Sequence, residues 1–515
     1  MPPVDAPPGT SGSPAPQAPS AVAVPSAAAT AGSRPDARLV AAVATGTILN
    51  PVNSSMIAVA LVPIAAAFGV DTATSTWLIS GFFLAAAIAM PLMGRFADLF
   101  GPRRTFLTGL VVVGISAAVG TVAPSFGFLI LCRVAMAFGT STAYPSGLAI
   151  FRARDPHGDA PAGALAVLGI VSSVMAAGGP VLGGILVATV GWQGIFFVNV
   201  PVVVVGFLLA YRWLPADPPA SLSVSFRSFT GIAVFLEAID AIGIVLFAAM
   251  FVGLLAFIVA LPTGVEPVLL VLAVASAAFL VVRELRAATP FVDLRMLAHQ
   301  PTLIWLYAQF AGVNLVFYGV FFGLPIWLED VRGFSAAQAG PLLLPLAGIG
   351  ILAAPVAARI VSKRGPAPAI IVGSVALLIG SVPLALFGET TPIIVILVVG
   401  AILGIPTAFN NLGLQAALYE ATPASLMGTA SGQFQTFRYT GAIGASAVLG
   451  IVFAGGATSE GLDQLATLFI VVSAALVVAS IAGARLARRQ TLKPISLLEA
   501  EEAEFVGPVP PAESV

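Results

Sequence analysis

Charged residues, cysteine and histidine are all scarce in this sequence. Asp, Glu, Lys and Arg together make up 9% of the 515 residues, where a soluble globular domain carries about 25%. Hydrophobic residues account for 58%, and the mean hydropathy is +1.03. So little charge beside so much apolar surface excludes a soluble globular protein, and we expect a polytopic membrane protein.

The few reactive residues exclude several kinds of chemistry. The single cysteine, Cys132, cannot form an intramolecular disulfide, and the two histidines, His157 and His299, fall in predicted loops away from any metal-ligand cluster. Neither lysine, Lys363 or Lys493, follows the glycines of a phosphate-binding loop, and no nucleophile motif stands beside a base. We therefore expect a protein that is not an enzyme, with no metal site, no cofactor and no nucleic-acid partner.

Apolar runs of membrane-spanning length recur along the chain. A helix needs about 20 mostly apolar residues to cross a bilayer. Marking such runs between charged or Pro/Gly breaks predicts an all-α integral membrane fold, with two six-helix bundles and two extra central helices. The fourteen predicted spans are residues 39–67, 75–96, 104–122, 126–150, 161–188, 193–213, 241–261, 267–285, 301–327, 336–360, 367–387, 391–418, 426–454 and 464–487.

These runs divide the chain into five parts. Residues 1–37 are rich in Pro, Ala, Ser and Gly and lack the large apolar side chains of a core, which predicts a disordered cytoplasmic tail. An N-terminal bundle follows over 38–213, and a connector with the two extra spans covers 214–299. A C-terminal bundle over 300–488 and a second cytoplasmic tail over 489–515 complete the chain.

The distribution of basic residues sets the predicted orientation. Of 22 Lys and Arg residues, 19 fall in cytoplasmic segments or at the cytoplasmic ends of spans in this topology, one (Arg332) falls outside, and two (Arg133 and Arg438) fall well within spans. Basic residues collect on the cytoplasmic side of membrane proteins. We therefore expect a multi-pass protein of the cell membrane with both termini in the cytoplasm.

A short polar segment, residues 94–104, separates the second and third spans. One acid and three arginines between two apolar runs must lie at a membrane surface, because a charge at mid-bilayer is costly. Gly101 and Pro102 supply the turn, since Pro cannot continue the preceding helix. The spacing resembles the loop between the second and third helices of the major facilitator superfamily, which implies a cytoplasmic gate formed by Gly94, Arg95, Asp98, Gly101, Arg103 and Arg104.

The same resemblance implies a role for the acid of this segment. In that family it pairs with basic residues and a helix N-terminus of the opposite half when the transporter faces outward, and Asp98 stands at the matching position. The alternative is a loop that obeys charge topology only. A degenerate copy of the segment lies 264 residues later, which favours duplication of the two halves: Pro91, Arg95, Gly101 and Pro102 align with Pro355, Arg359, Gly365 and Pro366.

The fifth span contains a run of small residues, Gly178, Gly179, Pro180, Gly183 and Gly184. Small residues let a neighbouring helix approach closely, and Pro180 frees a carbonyl and bends the helix, so the run predicts a packing hinge. It resembles the antiporter signature of exporters in the same superfamily. Close packing without a transport role would produce the same run.

Residues 191–201 follow directly after this helix. They resemble the junction between the fifth and sixth helices in the fourteen-helix drug:proton antiporters, a multidrug-efflux branch of the superfamily. The sequence departs from that branch at Gln193 and Gly194, where a basic and then an aromatic residue are common. The departure concerns local anchoring, and the resemblance as a whole extends over about residues 38–488.

Arg133 places a permanent cation inside the fourth span. An arginine at that depth must reach water, an acid or backbone carbonyls, so it is a candidate functional residue. Its position resembles that of the superfamily's fourth-helix arginine, which implies a part in proton coupling or substrate binding. The alternative is an arginine that backbone carbonyls satisfy for structural reasons alone.

Other polar side chains lie on otherwise apolar helices. In the first span Asn50, Asn53 and Ser54 share one face. The residues around Asn53 resemble the family's first-helix signature, in which many members carry an aspartate near this place, and the alternative here is hydrogen bonding between helices without a ligand. Further candidates for coupling or substrate binding lie in the second half: Asn314, Asn411, Gln415, Gln435 and Arg438.

The position of the acids limits how protons could couple to transport. None of the 23 acidic residues lies securely near the middle of a predicted span. Any proton coupling is therefore predicted to use a protonated substrate or an acid at a cavity mouth, such as Asp98, Glu237, Asp240 or Glu420. Arg133 and Arg438 do not release protons at accessible pH and would favour substrates with an anionic or electron-rich group.

Together, composition and resemblance predict a secondary active transporter that works by alternating access. We expect it to export a small organic or amphiphilic compound, as a proton-coupled multidrug efflux protein that acts as a monomer in the lipid bilayer. One alternative is an exporter of one specific metabolite or lipid-like product. Another is a membrane receptor or scaffold that keeps the fold and does not transport.

Overall fold

The computed structural model describes residues 36–154, 162–217, 240–260, 267–287, 290, 294–295, 300–422 and 427–490. All regular secondary structure in these ranges is helical. The predicted disordered tails lie outside the described residues, except for residues 36 and 37 at the first boundary and 489 and 490 at the second.

The N-terminal half consists of helices that follow the six predicted spans, several of them broken into shorter pieces. A short 3₁₀ turn over Ile57–Val59 joins α2 to α3. The helices are α1 (Ala37–Thr47), α2 (Leu49–Met56), α3 (Leu61–Phe68), α4 (Thr72–Ser75), α5 (Trp77–Phe100), α6 (Pro102–Thr121), α7 (Phe126–Thr140), α8 (Ala143–Arg154), α9 (Ala162–Val190), α10 (Gly194–Phe197) and α11 (Asn199–Trp213).

The two extra spans and the C-terminal half are built in the same way. The extra spans are α12 and α13, and the remaining helices follow the last six predicted spans. They are α12 (Ala241–Ala260), α13 (Pro267–Glu284), α14 (Pro301–Asp330), α15 (Ala336–Leu342), α16 (Leu344–Arg364), α17 (Pro366–Leu384), α18 (Ile393–Gly404), α19 (Pro406–Ala421), α20 (Met427–Val452) and α21 (Ser459–Gln490).

The predicted number of fourteen spans is not confirmed. In the described part of the chain, ten helices are long and apolar enough to cross a membrane, or eleven when the bent pair Ala37–Val59 and Leu61–Phe68 counts as one span. The pair is bent by 66°. Two further predicted spans correspond to shorter apolar helices in the described part of the chain, Trp77–Met90 within α5 and Ala241–Phe257 within α12.

Prolines account for the broken helices. A proline inside a helix lacks the N–H that would bond to the carbonyl four residues earlier, and its ring clashes with that carbonyl. Six of the breaks between consecutive helical pieces lie within the four residues before a proline, at Pro51, Pro63, Pro145, Pro201, Pro345 and Pro406. The break at Thr76, between α4 and α5, has no such proline. The sequence therefore sets the position of most breaks locally.

The predicted turn after the second span has a matching turn in the second half. Gly101 links α5 to α6 with a φ of +96°, and Gly365 links α16 to α17 with a φ of +78°. Glycine is favoured at such angles because it lacks a Cβ. In both turns a proline begins the next helix, where its missing N–H costs nothing. The shared construction supports the duplication inferred from the sequence.

The two halves meet mainly along three α-helix pairs and at one 3₁₀ turn. α5 packs against α20, α9 packs against α15 and α16, and the 3₁₀ turn at Ile57–Val59 packs against α14. The largest buried apolar cluster contains residues of both halves, including Phe83 and Phe322. The extra helix α12 packs against its partner α13 and also against α5 and α20, so it lies beside one seam between the halves.

Candidate functional site at the junction of the two halves

An aromatic cluster joins the two halves where α5 meets α14 and α20. The ring of Phe83 on α5 lies 5.0 Å from that of Tyr318 and 6.0 Å from that of Phe322, both on α14. It also stacks on Tyr439 of α20 at 5.7 Å. These four residues, which we call the junction cluster, are all buried. Ring separations of this kind are attractive and position the helices relative to one another.

Arg438 lies at the edge of the junction cluster. Its Nη2 donates a hydrogen bond to the hydroxyl of Tyr318 at 3.2 Å, and the residue is partly accessible. Gln435, nearly one turn earlier on α20, is also half-buried. By contrast, Asn314 is buried and donates to the Phe310 carbonyl of its own helix at 2.8 Å.

Arg133 is enclosed by protein. It is 2% exposed, and its Nη1 donates to the carbonyl of Asn53 at 3.0 Å. Its Nε donates to the carbonyl of Leu78 at 3.4 Å, and its guanidinium lies 4.4 Å from the ring centre of Phe82. These contacts match the structural alternative, in which carbonyls satisfy the arginine, and its coupling or binding role stays a prediction.

Phe82 and Phe83 connect the two intramembrane arginines. Phe82 contacts Arg133 on one side, and its ring lies 5.8 Å from that of Phe83. Phe83 in turn contacts Tyr318, which accepts the hydrogen bond of Arg438. A continuous chain of contacts therefore runs from the fourth span of one half to α20 of the other.

Asn53 pairs with a residue that the sequence did not single out. Its Nδ2 donates to Oδ1 of Asn199 at 2.6 Å, and Nδ2 of Asn199 donates back to Oδ1 of Asn53 at 2.9 Å. Both are buried, at 2% and 1% exposure. Asn50, on the same helix, is half-buried and donates to the hydroxyl of Thr140 at 3.2 Å. Asn50 and Asn53, which the sequence predicts to line a cavity, thus form hydrogen bonds between helices in this conformation. This arrangement agrees with the alternative interpretation of the sequence, in which these side chains join helices without binding a ligand.

The glycine run of α9 contacts two different partners. A Cβ on Gly179 would fall 2.8 Å from Cβ of Ser55, and one on Gly183 would fall 2.8 Å from the carbonyl oxygen of Met56, both on α2. A Cβ on Gly184 would instead fall 3.0 Å from Cα of Ala337 on α15, in the other half. Gly178 has open space at the corresponding position.

Gly340 on α15 lies equally close to the backbone of α9. A Cβ on Gly340 would fall 2.9 Å from the carbonyl carbon of Pro180. Gly184 and Gly340 therefore let the backbones of α9 and α15 meet, and the contact joins opposite halves. Such close approach requires small residues, as the sequence predicts for a packing hinge.

The gate segment is held by an acid that sequence reasoning missed. Asp217, just after α11, accepts hydrogen bonds from the backbone N–H groups of Arg103 at 2.8 Å and Arg104 at 2.9 Å. It thereby caps the N-terminus of α6, and a Cβ on Gly101 would overlap its carboxylate. A sequence signal existed: Asp217 is the first acid after the sixth span.

The gate arginines are held by the same half of the molecule. Nη2 of Arg103 donates to the carbonyl of Tyr211 on α11 at 2.5 Å, and its guanidinium lies 5.3 Å from the Tyr211 ring centre. The Arg104 side chain is exposed, with its Nε 3.9 Å from Asp217. Gly94 lies on α5, and a Cβ added to it would have Cβ of Pro145, at 4.0 Å, as its nearest neighbour. The side chains of Arg95 and Asp98 lie outside the described residues, so their pairing stays a prediction.

Three side chains of α19 form an exposed polar stripe. Asn411, Gln415 and Tyr419 follow one another at intervals of one turn, and all three are exposed. Asn410, the neighbouring amide, is fully buried, and neither of its amide atoms has a hydrogen-bond partner in the described part of the chain.

Comparison with known proteins identifies the family. The family model described as Major Facilitator Superfamily matches residues 43–446. The chain belongs to the Major Facilitator Superfamily. It is 37% identical to the uncharacterized MFS-type transporter YwoD of Bacillus subtilis, over 84% of this chain and 94% of that protein. This membership confirms the predicted all-α membrane fold and the expectation of a transporter that is not an enzyme.

Other superfamily members resemble the chain more distantly. The tetracenomycin C resistance and export protein of Streptomyces glaucescens is 28% identical over 80% of this chain and 75% of its own length. The multidrug efflux pump LfrA of Mycolicibacterium smegmatis is 26% identical over 80% of each chain. A structure titled as giving insights into substrate recognition in proton dependent oligopeptide transporters has a TM-score of 0.62 at 15% identity, over 88% of this chain and 99% of its own.

These findings support a multi-pass membrane transporter of the superfamily with multidrug efflux relatives. The family membership and the long apolar helices of the described residues show a multi-pass membrane protein. Members of the superfamily carry small-molecule substrates, so the predicted partner class agrees with the family.

Proposed function

We propose that the protein exports small amphiphilic compounds across the cell membrane by alternating access, driven by the proton gradient. The observation that carries this proposal is the uneven contact between the halves. They meet closely at the junction cluster and at the crossing of α9 with α15, while the polar stripe of α19 stays exposed. Such an arrangement has one closed end and one open end, as alternating access requires.

The position of the contacts along the helices supports an assignment of the closed end. Phe83 lies in the second turn of α5, Gly184 lies near the end of α9, and Ala337 lies at the start of α15. In the predicted topology these three positions approach the outer surface, whereas Gly101 and Gly365 lie at the cytoplasmic surface. The described conformation is then open to the cytoplasm, which is the state in which an exporter loads its substrate.

The available polar groups narrow the proposed substrate chemistry. Arg133 already donates to two carbonyls and is nearly inaccessible, so of the two intramembrane arginines Arg438 is the one that is partly accessible and lies beside aromatic rings. Asn411 and Gln415 add neutral donors and acceptors. We expect amphiphiles that stack on aromatic side chains, and a single anionic or electron-rich group would contact Arg438.

The described acids leave few routes for proton coupling. The carboxylate of Asp240 is 3.1 Å from Nη2 of Arg283, which compensates its charge. Glu420 is exposed at the end of α19, one residue after the stripe. We therefore propose Glu420 and Asp98 as the acids that exchange protons during transport. Glu237 lies outside the described residues.

Export of one specific product is the second candidate function. The tetracenomycin C relative is named for resistance to and export of a single compound, and it covers four fifths of this chain. That likeness favours a dedicated natural product as strongly as the LfrA likeness favours a broad range of drugs. Because both candidates use the same cycle, a substrate panel separates them.

Transport into inside-out vesicles tests the proposal. The full-length protein is placed in vesicles whose lumen is more acidic than the medium. The accumulation of ethidium and of an anionic fluorescein derivative inside the vesicles is followed with and without a protonophore. We expect gradient-dependent accumulation, with Arg438→Ala reducing transport of the anionic dye more than that of ethidium. Arg332→Ala is the matched control, since Arg332 donates to the Thr391 carbonyl away from the stripe.

Two outcomes would contradict this proposal. Equilibration of either dye at the same rate with and without the gradient would make the protein a uniporter. Equal loss of anionic-dye transport in the Arg438 and Arg332 variants would remove Arg438 from the binding site. Accumulation of one compound from a wide panel would instead favour the dedicated exporter.

A further inference from the structure

A cavity of about 270 Å³ lies beside the junction, on the side of the extra helices. Its walls come from four helices: α5, α7, α12 and α20. The residues that matter here are Trp77, Gly81, Val134, Ala248, Val252 and Ile443. Phe82 and Phe83 do not line it, so it is separate from the junction cluster described above.

The lining offers almost nothing to a polar ligand. Ser80 is the one hydroxyl residue in the wall, and it already donates to the carbonyl of Thr76 at 3.2 Å. A buried water needs two to four polar partners, and an apolar void leaves its wall atoms without dispersion contacts. The chemistry of the wall therefore selects a hydrocarbon group.

The surroundings supply such a group. α5, α7, α12 and α20 cross the bilayer in the predicted topology, so the medium around the cavity is acyl chain. Val252 lines the cavity and is 43% exposed, which connects the interior to that medium. Trp77, at the start of α5, is half-buried at the level where tryptophan side chains meet lipid headgroups.

We propose that this cavity is a binding site for one acyl chain of a membrane phospholipid. The chain enters between α12 and α5 beside Trp77, and its headgroup stays at the membrane surface. Gly81 and Ala248 leave the space that the methylene groups fill. The extra helix α12, for which the sequence suggested no role, thus forms one wall of a lipid site.

The site also joins parts that move relative to one another. α5 belongs to the N-terminal half, Ile443 on α20 belongs to the C-terminal half, and α12 packs against both helices. If the halves rock as the proposed function requires, the width of the cavity changes. A bound acyl chain then favours the conformation that fits it, so the lipid tunes the transport cycle.

Tryptophan quenching tests the site without any transport measurement. The full-length protein in detergent is titrated with a phosphatidylcholine whose acyl chains carry bromine at mid-chain, because bromine quenches tryptophan on contact. The difference in emission between the native chain and Trp77→Phe isolates Trp77. We expect this difference signal to fall in a saturable phase at a few lipids per protein.

Cavity-filling variants decide whether the saturable phase reports this site. Ala248→Phe and, independently, Val252→Phe should raise the half-saturating lipid concentration by roughly tenfold or more. Ala249→Phe is the matched control, since Ala249 is the next residue of α12, is exposed and does not line the cavity. Quenching proportional to lipid without saturation, or equal behaviour of all three variants, would overturn the proposal.

A transport measurement tests the coupling separately. Vesicles made with lipids of different acyl-chain length should change the transport rate of the native chain more than that of Val252→Phe. Equal sensitivity in both would overturn the tuning of the cycle while leaving the lipid site. A chain that binds lipid saturably and transports nothing would overturn the proposed function instead.

Discussion

Asn53 and Asn199 exchange two amide hydrogen bonds, at 2.6 and 2.9 Å, across the interface between α2 and α11. The pair is buried in an apolar bundle, where an unpaired amide is costly. It also fixes the backbone whose carbonyl, at Asn53, accepts the hydrogen bond of Arg133. This relationship ties a residue expected at a binding site to the internal structure of one half.

Removal of either amide should therefore destabilise the protein. We expect Asn53→Ala and Asn199→Ala each to lower the free energy of unfolding by about 1–3 kcal/mol. The double variant should lose clearly less stability than the sum of the two single losses, because either substitution alone already removes the hydrogen bonds between the two amides. Denaturant unfolding in detergent measures the free energies of the two single variants and the double variant. Asn50→Ala is the control, and we expect it to have a milder effect. Strict additivity would show that the two amides act independently.

The crossing of α9 with α15 should tolerate no added side chain. Gly184→Leu is expected to lower the free energy of unfolding by about 1–3 kcal/mol through overpacking, or to abolish transport because it separates the halves at the closed end. Gly178→Leu is the matched control in the same run, since open space surrounds its Cβ position. Vesicle transport and unfolding together distinguish the two effects. Normal transport and stability in Gly184→Leu would contradict the close crossing.

Asp217 should stabilise the start of α6. Asp217→Ala removes the hydrogen bonds from the backbone N–H groups of Arg103 and Arg104, and we expect the free energy of unfolding to fall by about 0.5–2 kcal/mol. Asp217→Asn should retain part of the cap. Asp71→Ala is a matched control, because Asp71 accepts one hydrogen bond from Thr74 N in a single-turn helix. Melting of the purified variants measures the difference, and equal shifts for Asp217→Ala and Asp71→Ala would argue against the cap.

The proposed proton-exchanging acids can be separated by neutral variants. If Asp98 both closes the cytoplasmic gate and exchanges protons, Asp98→Asn should cut transport strongly while membrane expression stays intact. Glu420→Gln should instead weaken the response to the pH gradient and leave downhill transport of substrate in place. Both are measured in inside-out vesicles, with the surface acid Glu460 changed to Gln as control. An Asp98→Asn protein as active as the native chain would reduce the gate segment to a topology signal.

The sequence alone determined the local features of this protein. Membrane location follows from long apolar runs, helix breaks follow from Pro63, Pro145 and Pro201, and the turn at Gly101 follows from a glycine before a proline. Each of these depends on a residue and its near neighbours. The predicted number of spans exceeds the ten or eleven that the helices of the described residues support.

Only the tertiary structure decided which polar groups meet. Asn53 finds its partner 146 residues later and Arg103 its cap 114 residues later, and apolar helices carry little information on which face they turn to each neighbour. The sequence left open whether Arg133 serves a ligand or the fold, because both uses require the same residue at the same depth. The packing of α2, α5 and α7 around it decided its partners: two backbone carbonyls and the ring of Phe82.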